Sequence, residues 1–172
     1  MKTSNDFNRK IILEGGLVFT GIGFGSRRES VCEIVFNTSM VGYQEIISDP
    51  SYNGQAVVMT YPLIGNYAMS NEDYESQRPS IGALIVREYN DEPSSFRSDE
   101  TLDAVMRRYD IAGIYGVDTR RLTRMIRDHG SCKVLITSAD RDTDEGISYL
   151  RSAQLRHDNV AQVTAGEIYV SD

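Results

Sequence analysis

Short runs of branched and aromatic residues, each closed off by glycine or by polar residues, dominate the first half of this chain. Ile11-Ile12-Leu13 and Leu17-Val18-Phe19 flank Glu14-Gly15-Gly16, the pattern of two strands turned back on each other as a hairpin. Val31–Phe36, Ala56–Thr60, Ile81–Val86 and Val134–Ile136 have the same character. Runs this short, bounded by turn residues, fit strands. Gly21-Ile22-Gly23-Phe24-Gly25 reads as a flexible loop between strands.

Helical periodicity is concentrated in the second half. In Ser98–Tyr109 the residues Leu102, Val105, Met106 and Tyr109 fall at i, i+3, i+4 and i+7 and share one face. Ser98 or Asp99 is the expected N-cap, and Gly113 lies past the expected end. A second helix is expected over 119–129, with Leu122, Met125 and Ile126 inward and Gly130 in the left-handed position after it. A third follows Thr143 and uses Ile147 and Leu150. Strands first, helices later and β runs returning give an α+β fold class, in a layered β/β/α arrangement. Residues 1–155 read as one domain, and the polar, small-residue stretch 156–172 reads as a linker.

The formal charge is −7, from 25 acidic against 18 basic side chains. That balance argues against broad binding to nucleic acid or to a membrane surface, which needs a basic field. No apolar run approaches the roughly 20 residues that span a bilayer, and Met1–Lys10 lacks the apolar core of a signal peptide. The two cysteines, 100 positions apart, imply no disulfide framework. A reduced, cytoplasmic protein is the expectation.

Most candidate chemistry has a structural explanation. A dinucleotide fingerprint requires G-x-G-x-x-G between a strand and a helix, whereas Gly21–Gly25 is followed by Ser26-Arg27-Arg28-Glu29 and a strand. Cys32 lies within an expected strand and Cys132 just after Gly130, neither on the sharp elbow that exposes a nucleophile beside backbone donors. His129 ends a basic helix, where a cation suits the helix dipole. Two histidines without H-x-x-x-H or C-x-x-C spacing give no zinc site. Arg120, Arg121, Arg124 and Arg127 share one side of the second helix. That face either meets an acidic partner or pairs with local carboxylates.

The remaining stretch, Phe36 to Tyr67, is dense in hydroxyls, amides and glycine directly after a strand. Tyr43–Ile47 can make a helical turn that stops before Pro50, since a residue preceding proline avoids the helical region. Asp49-Pro50-Ser51-Tyr52 then reads as a turn that presents the Ser51 hydroxyl and backbone donors. A loop that merely packs Tyr43, Ile46 and Tyr52 onto the sheet accounts for the same residues.

This segment resembles a known family. F-N-T-S-M-x-G-Y-Q-E-I, D-P-S-Y and Y-P-L-I-G-N-Y look like motifs of the small subunit of glutamine-hydrolysing carbamoyl-phosphate synthase. The resemblance extends to the Ile11–Phe19 hairpin, to Gly116-Val117-Asp118-Thr119-Arg120-Arg121-Leu122-Thr123-Arg124, and to Val160–Tyr169, which is similar to the family's connector. The family usually has glycine where Cys32 stands.

The resemblance implies the N-terminal domain of that subunit, a β/β/α domain of the swivelling type that docks on the large, ATP-using synthetase subunit. Residues 156–172 are then a connector toward a class I glutamine amidotransferase domain that is absent here, with its Cys-His-Glu triad. Ser51 is the one family site residue that maps, as a contributor to the L-glutamine site; no catalytic, cofactor or metal residue is expected. ATP and magnesium belong to the large subunit. The alternative is a free-standing protein-interaction module without enzymatic activity.

Overall fold

The structure is a computed structural model that describes residues 7–40, 42–65, 78–90 and 100–155. Its strands are β1 (Phe7–Leu13), β2 (Val18–Gly25), β3 (Ser30–Asn37), β4 (Ala56–Met59), β5 (Leu63–Ile64), β6 (Ala83–Ile85), β7 (Glu88–Tyr89), β8 (Ala112–Tyr115) and β9 (Lys133–Ser138). Its helices are α1 (Tyr43–Ser48), α2 (Leu102–Arg108), α3 (Thr119–His129) and α4 (Thr143–Ser152). The α+β class expected from the sequence holds. A closed barrel runs in the order β1-β2-β8-β6-β4-β3-β9, with β9 paired back onto β1. One arc, β3-β4-β6-β8, is parallel, and the other, through β9, β1 and β2, is antiparallel. Strands β5 and β7 form a separate parallel pair.

Alternation along the strands sorts their side chains into two sets, as the two-residue period of a strand requires. Ile11, Leu13, Ile34, Ala56, Val58, Ala83, Ile85, Ala112, Ile114, Val134 and Ile136 point into one buried cluster inside the barrel. Their neighbours point outward: Val57, Met59 and Leu84 pack under α1 and α2, while Ile12 and Leu135 pack under Leu150 of α4. Covered on both faces, these strands read as continuous apolar runs without a polar alternate. Ala56, Ala83 and Ala112 lie side by side in register, and Val58, Ile85 and Ile114 form the next level. Leu122 and Ile126 of α3 join the interior cluster and plug the barrel.

The segment Gly21–Gly25 is not a flexible loop. It is the second half of β2, paired to β1 on one side and β8 on the other. The physical reason is close approach: a Cβ on Gly21 would sit 2.3 Å from the Tyr115 carbonyl oxygen and 2.9 Å from an Ile114 side-chain carbon. Likewise Gly113, past the end of the preceding helix as expected, belongs to β8, where a Cβ would meet the Phe24 ring at 2.7 Å. Asp110 takes the left-handed conformation after α2, with φ 56°, which aspartate tolerates better than most residues.

The cap of α2 is Thr101, whose hydroxyl accepts from the Ala104 amide at 3.2 Å; Ser98 and Asp99 lie outside the described residues. The inner stripe of α2 is as expected, with Leu102, Val105 and Met106 buried. Helix α3 spans the expected residues, starts at Asp118 accepting from the Arg121 amide at 3.0 Å, and ends at Gly130 with φ 87°.

Buried Arg9 fastens the β2–β3 connection. Its guanidinium donates to the Ser26 carbonyl at 2.8 Å and to the Arg28 carbonyl. Loss of water pulls its pKa down to about 10, partly offset by Glu29, so it remains charged at neutral pH.

Replacing Gly21 by alanine is expected to destabilise the fold by ~1–3 kcal/mol, because a new methyl group is forced against backbone. Gly15→Ala, whose Cβ would meet nothing within 4 Å, is expected to stay within ~0.5 kcal/mol of wild type. Urea denaturation of both variants measures the difference, and equal midpoints would refute the close-approach argument.

Candidate functional site

Residues 42–53 fold back onto the outside of the parallel arc. Helix α1 is almost wholly buried, with Tyr43, Ile46 and Ile47 in the apolar layer over β4 and β6. Gly42, at φ 81°, enters it in a conformation that glycine adopts without strain. The helix ends before Pro50 as expected, with Asp49 extended at φ −66°, ψ 119°.

The turn that follows is built from its own residues. Pro50–Tyr52 form one turn of 3₁₀ helix, and Asp49 Oδ1 accepts the Ser51 amide at 2.8 Å. The Tyr52 amide donates to the Asp49 carbonyl at 3.0 Å, and the Asn53 amide to the Pro50 carbonyl at 3.1 Å. The turn therefore consumes these backbone donors, which the sequence reading had left free for a ligand. What it presents is the Ser51 hydroxyl, exposed and without a hydrogen-bond partner among the described residues.

Two motif fragments meet here. Asn37, at the end of β3, donates from Nδ2 to the Tyr52 hydroxyl at 3.0 Å and accepts the Ser39 amide at Oδ1 at 2.7 Å. One asparagine thus orients both the exposed Thr38–Met40 loop and the tyrosine beside Ser51. Asn66 and Tyr67, the last residues of the resembling segment, lie outside the described residues.

Neither cysteine is an activated nucleophile. Burial pushes the Cys32 thiol up to about 12, against a smaller downward pull from Arg28. Partial burial raises Cys132 too, and Glu14 and Glu33 add to it. His129 places Nδ1 3.2 Å from the Met125 carbonyl on an exposed helix end and approaches neither thiol. No group of residues suited to a metal ion occurs among the described residues, nor does a helix long and apolar enough to cross a membrane.

A cleft of about 500 Å³ opens where the parallel strands begin, lined by Arg28, Glu33, Asn53, Gln55, Ser80 and Asp110 among others. Sequence reasoning did not find it, because these residues come from five separate segments without a common motif. Its charges are engaged internally: Arg28 pairs with Asp110 at 2.9 Å, and Glu33 accepts from Ser131 at 2.5 Å and Gln55 at 3.1 Å.

Residues 11–136 match the family model described as carbamoyl-phosphate synthase small chain, CPSase domain. The chain belongs to that family. It is 49% identical over 162 residues to the carbamoyl phosphate synthase small chain of Fusobacterium nucleatum, covering 94% of this chain and 45% of that one. It is 47% identical over 163 residues to the pyrimidine-specific small chain of Bacillus subtilis, covering 95% of this chain and 45% of that one. The chain thus spans somewhat under half the length of these small chains and corresponds to their N-terminal part. A solved aminopeptidase from Aneurinibacillus sp. strain AM-1 shares 14% identity and a TM-score of 0.40, over 80% of this chain and 31% of that one, too slight a likeness to inform fold or function.

Native Cys32 is expected to resist iodoacetamide at neutral pH and to react only after denaturation, since its thiolate is not populated. Its folded-state value lies above the ordinary 9.0, so the stability tied to it is complete below pH 9 and lost as pH rises toward about 12. Rapid native alkylation, followed by mass spectrometry, would show that burial does not protect it.

Proposed function

We propose that this domain is the N-terminal docking domain of the small subunit of a glutamine-hydrolysing carbamoyl-phosphate synthase. In that role it associates with the large synthetase subunit and lends Ser51 to the L-glutamine site. The parent ligase makes carbamoyl phosphate from glutamine, bicarbonate and two ATP in the cytoplasm, for pyrimidine or arginine synthesis. ATP and magnesium bind on the large subunit, and this domain carries no cofactor. A mixed α+β barrel with helices packed on it is compatible with a β/β/α swivelling domain. Residues 1–155 make up the domain, and 156–172 connect it to the amidotransferase domain.

The observation that carries the reading is the Ser51 hydroxyl, held outward by a turn whose backbone groups are otherwise satisfied. A hydroxyl both donates and accepts, which suits the amide or amino-acid end of glutamine. Fixing it on a proline-started, aspartate-capped turn lowers the ordering cost of binding. The remainder of the chemistry requires a nucleophile and base that this domain does not supply: its thiols are suppressed and its turn has no histidine.

In the full-length small chain with its large subunit, Ser51→Ala is expected to raise KM for glutamine by ~3–10-fold, the value of one neutral hydrogen bond. Synthesis driven by free ammonia should be unchanged, because it bypasses the glutamine site. An unchanged KM would remove Ser51 from that site. Residues 1–172 alone are expected to release no ammonia from glutamine; release abolished by Cys132→Ser would overturn that.

A further inference from the structure

The outward side of α3 is arranged against its own helix. Leu122 and Ile126 point into the barrel, so Arg120, Arg124 and Arg127, at i, i+4 and i+7, stand together on the opposite side and are exposed. Like charges at this spacing repel. Arg120 and Arg121 also occupy the first turn, which holds no acidic residue, where the helix dipole disfavours cations. Within the ridge Arg127 pairs with Asp128 at 3.0 Å, and beside it Arg121 lies over the Phe19 ring at 5.5 Å. Arg120 and Arg124 make no ion pair among the described residues. All this occurs on a chain of net charge −7, with carboxylates in excess for such pairing.

Nothing in the barrel's packing requires these charges, since the plug is made by the apolar side of the helix. Local rules broken together, without a compensating contact within the fold, are the mark of a functional surface. We propose that the Arg120–Arg124–Arg127 ridge is a docking surface for an acidic face of the partner subunit; this rests on the small-subunit reading above. Charge complementarity identifies the occupant. Arginine is enriched at protein interfaces, and the acidic remainder of the chain repels a polyphosphate backbone. The strand beneath Arg121 adds apolar contact area, with Leu17 just before it 41% exposed and Val18 37% exposed.

The test uses the full-length small chain and its partner subunit, with Arg120→Gln/Arg124→Gln, the corresponding double glutamate variant, and Arg151→Gln on α4 as control. Kd is measured at low and raised salt, and Tm by calorimetry. The glutamine pair should bind at least ~10-fold more weakly, with a shallower salt dependence. Its Tm should rise by about 1–3 °C as the repulsion is relieved. That opposition of stability and binding is not what a structural role produces, and it excludes misfolding as the cause of weaker binding. The glutamate pair should bind more weakly still, and the control within twofold of wild type. Wild-type affinity in both double variants overturns the inference while leaving the subunit reading intact. Absence of any wild-type binding overturns both. Binding of a duplex oligonucleotide that the variants lose, with subunit binding unchanged, overturns the inference in favour of nucleic acid.

Discussion

Closure of the barrel depends on a strand that contributes almost no side chains at its seam. Along β2, Phe19 points into the interior cluster, and alternation places Gly21 and Gly23 on the same side. At Gly21 the absent side chain leaves Ile114 of β8 and the Tyr115 carbonyl in the space a Cβ would take. On the neighbouring strand the arrangement is reciprocal, for Gly113 leaves room for the Phe24 ring, which stacks on Tyr89 with centroids 4.2 Å apart. This seam joins the parallel arc to the antiparallel arc. Without it, two curved half-sheets would expose their edges and the alanine level of the interior would be open to water.

The strands whose inner and outer faces are both apolar were legible from sequence, because burial on two sides leaves an uninterrupted branched run. The helices were legible for the complementary reason: Leu102, Val105 and Met106 on α2 and Leu122 and Ile126 on α3 face inward while their neighbours remain polar. The misread segment has one cause. In Gly21–Gly25 the alternating glycines lower the intrinsic strand preference, and the tertiary need for close approach makes the segment a strand. Glycine was taken there as a signal of freedom, although its use is to let two backbones and a ring come near each other. Just past the expected helix end at Tyr109, Asp110 takes the conformation usually left to glycine.

The candidate site was legible in its local part only. Asp49-Pro50-Ser51-Tyr52 announces a turn by residue type, and the structure builds that turn, with Asp49 as its cap. What composition could not reveal is that the backbone donors of the turn are consumed, which leaves the Ser51 hydroxyl without a partner among the described residues. The link from Asn37 to Tyr52 was equally hidden, because nothing in a string of letters says that residues 15 apart share a hydrogen bond. The cleft at the start of the parallel strands has no linear signature at all. Its charges are paired internally, in contrast to the ridge on α3, while the buried Ser30 and Ser80 hydroxyls that line it lack a partner among the described residues.

Helix α3 connects these levels. Its apolar side seals the barrel, and a sealing element cannot tilt or fray without opening the core, so the side chains on its far side stand on a fixed base. Asp118 at one end and Gly130 at the other terminate it within the fold, and the Arg121 guanidinium over Phe19 anchors it to the β1–β2 hairpin. The repulsion among Arg120, Arg124 and Arg127 is therefore tolerated, because interior packing exceeds what a few exposed like-charge pairs can oppose, each worth ~0.2–0.5 kcal/mol. A rigid ridge of charge loses less entropy on meeting a partner than a flexible one would. The same burial that hides Leu122 and Ile126 thus preorganises the arginines, and an element that seals the core is a firm base for holding another surface.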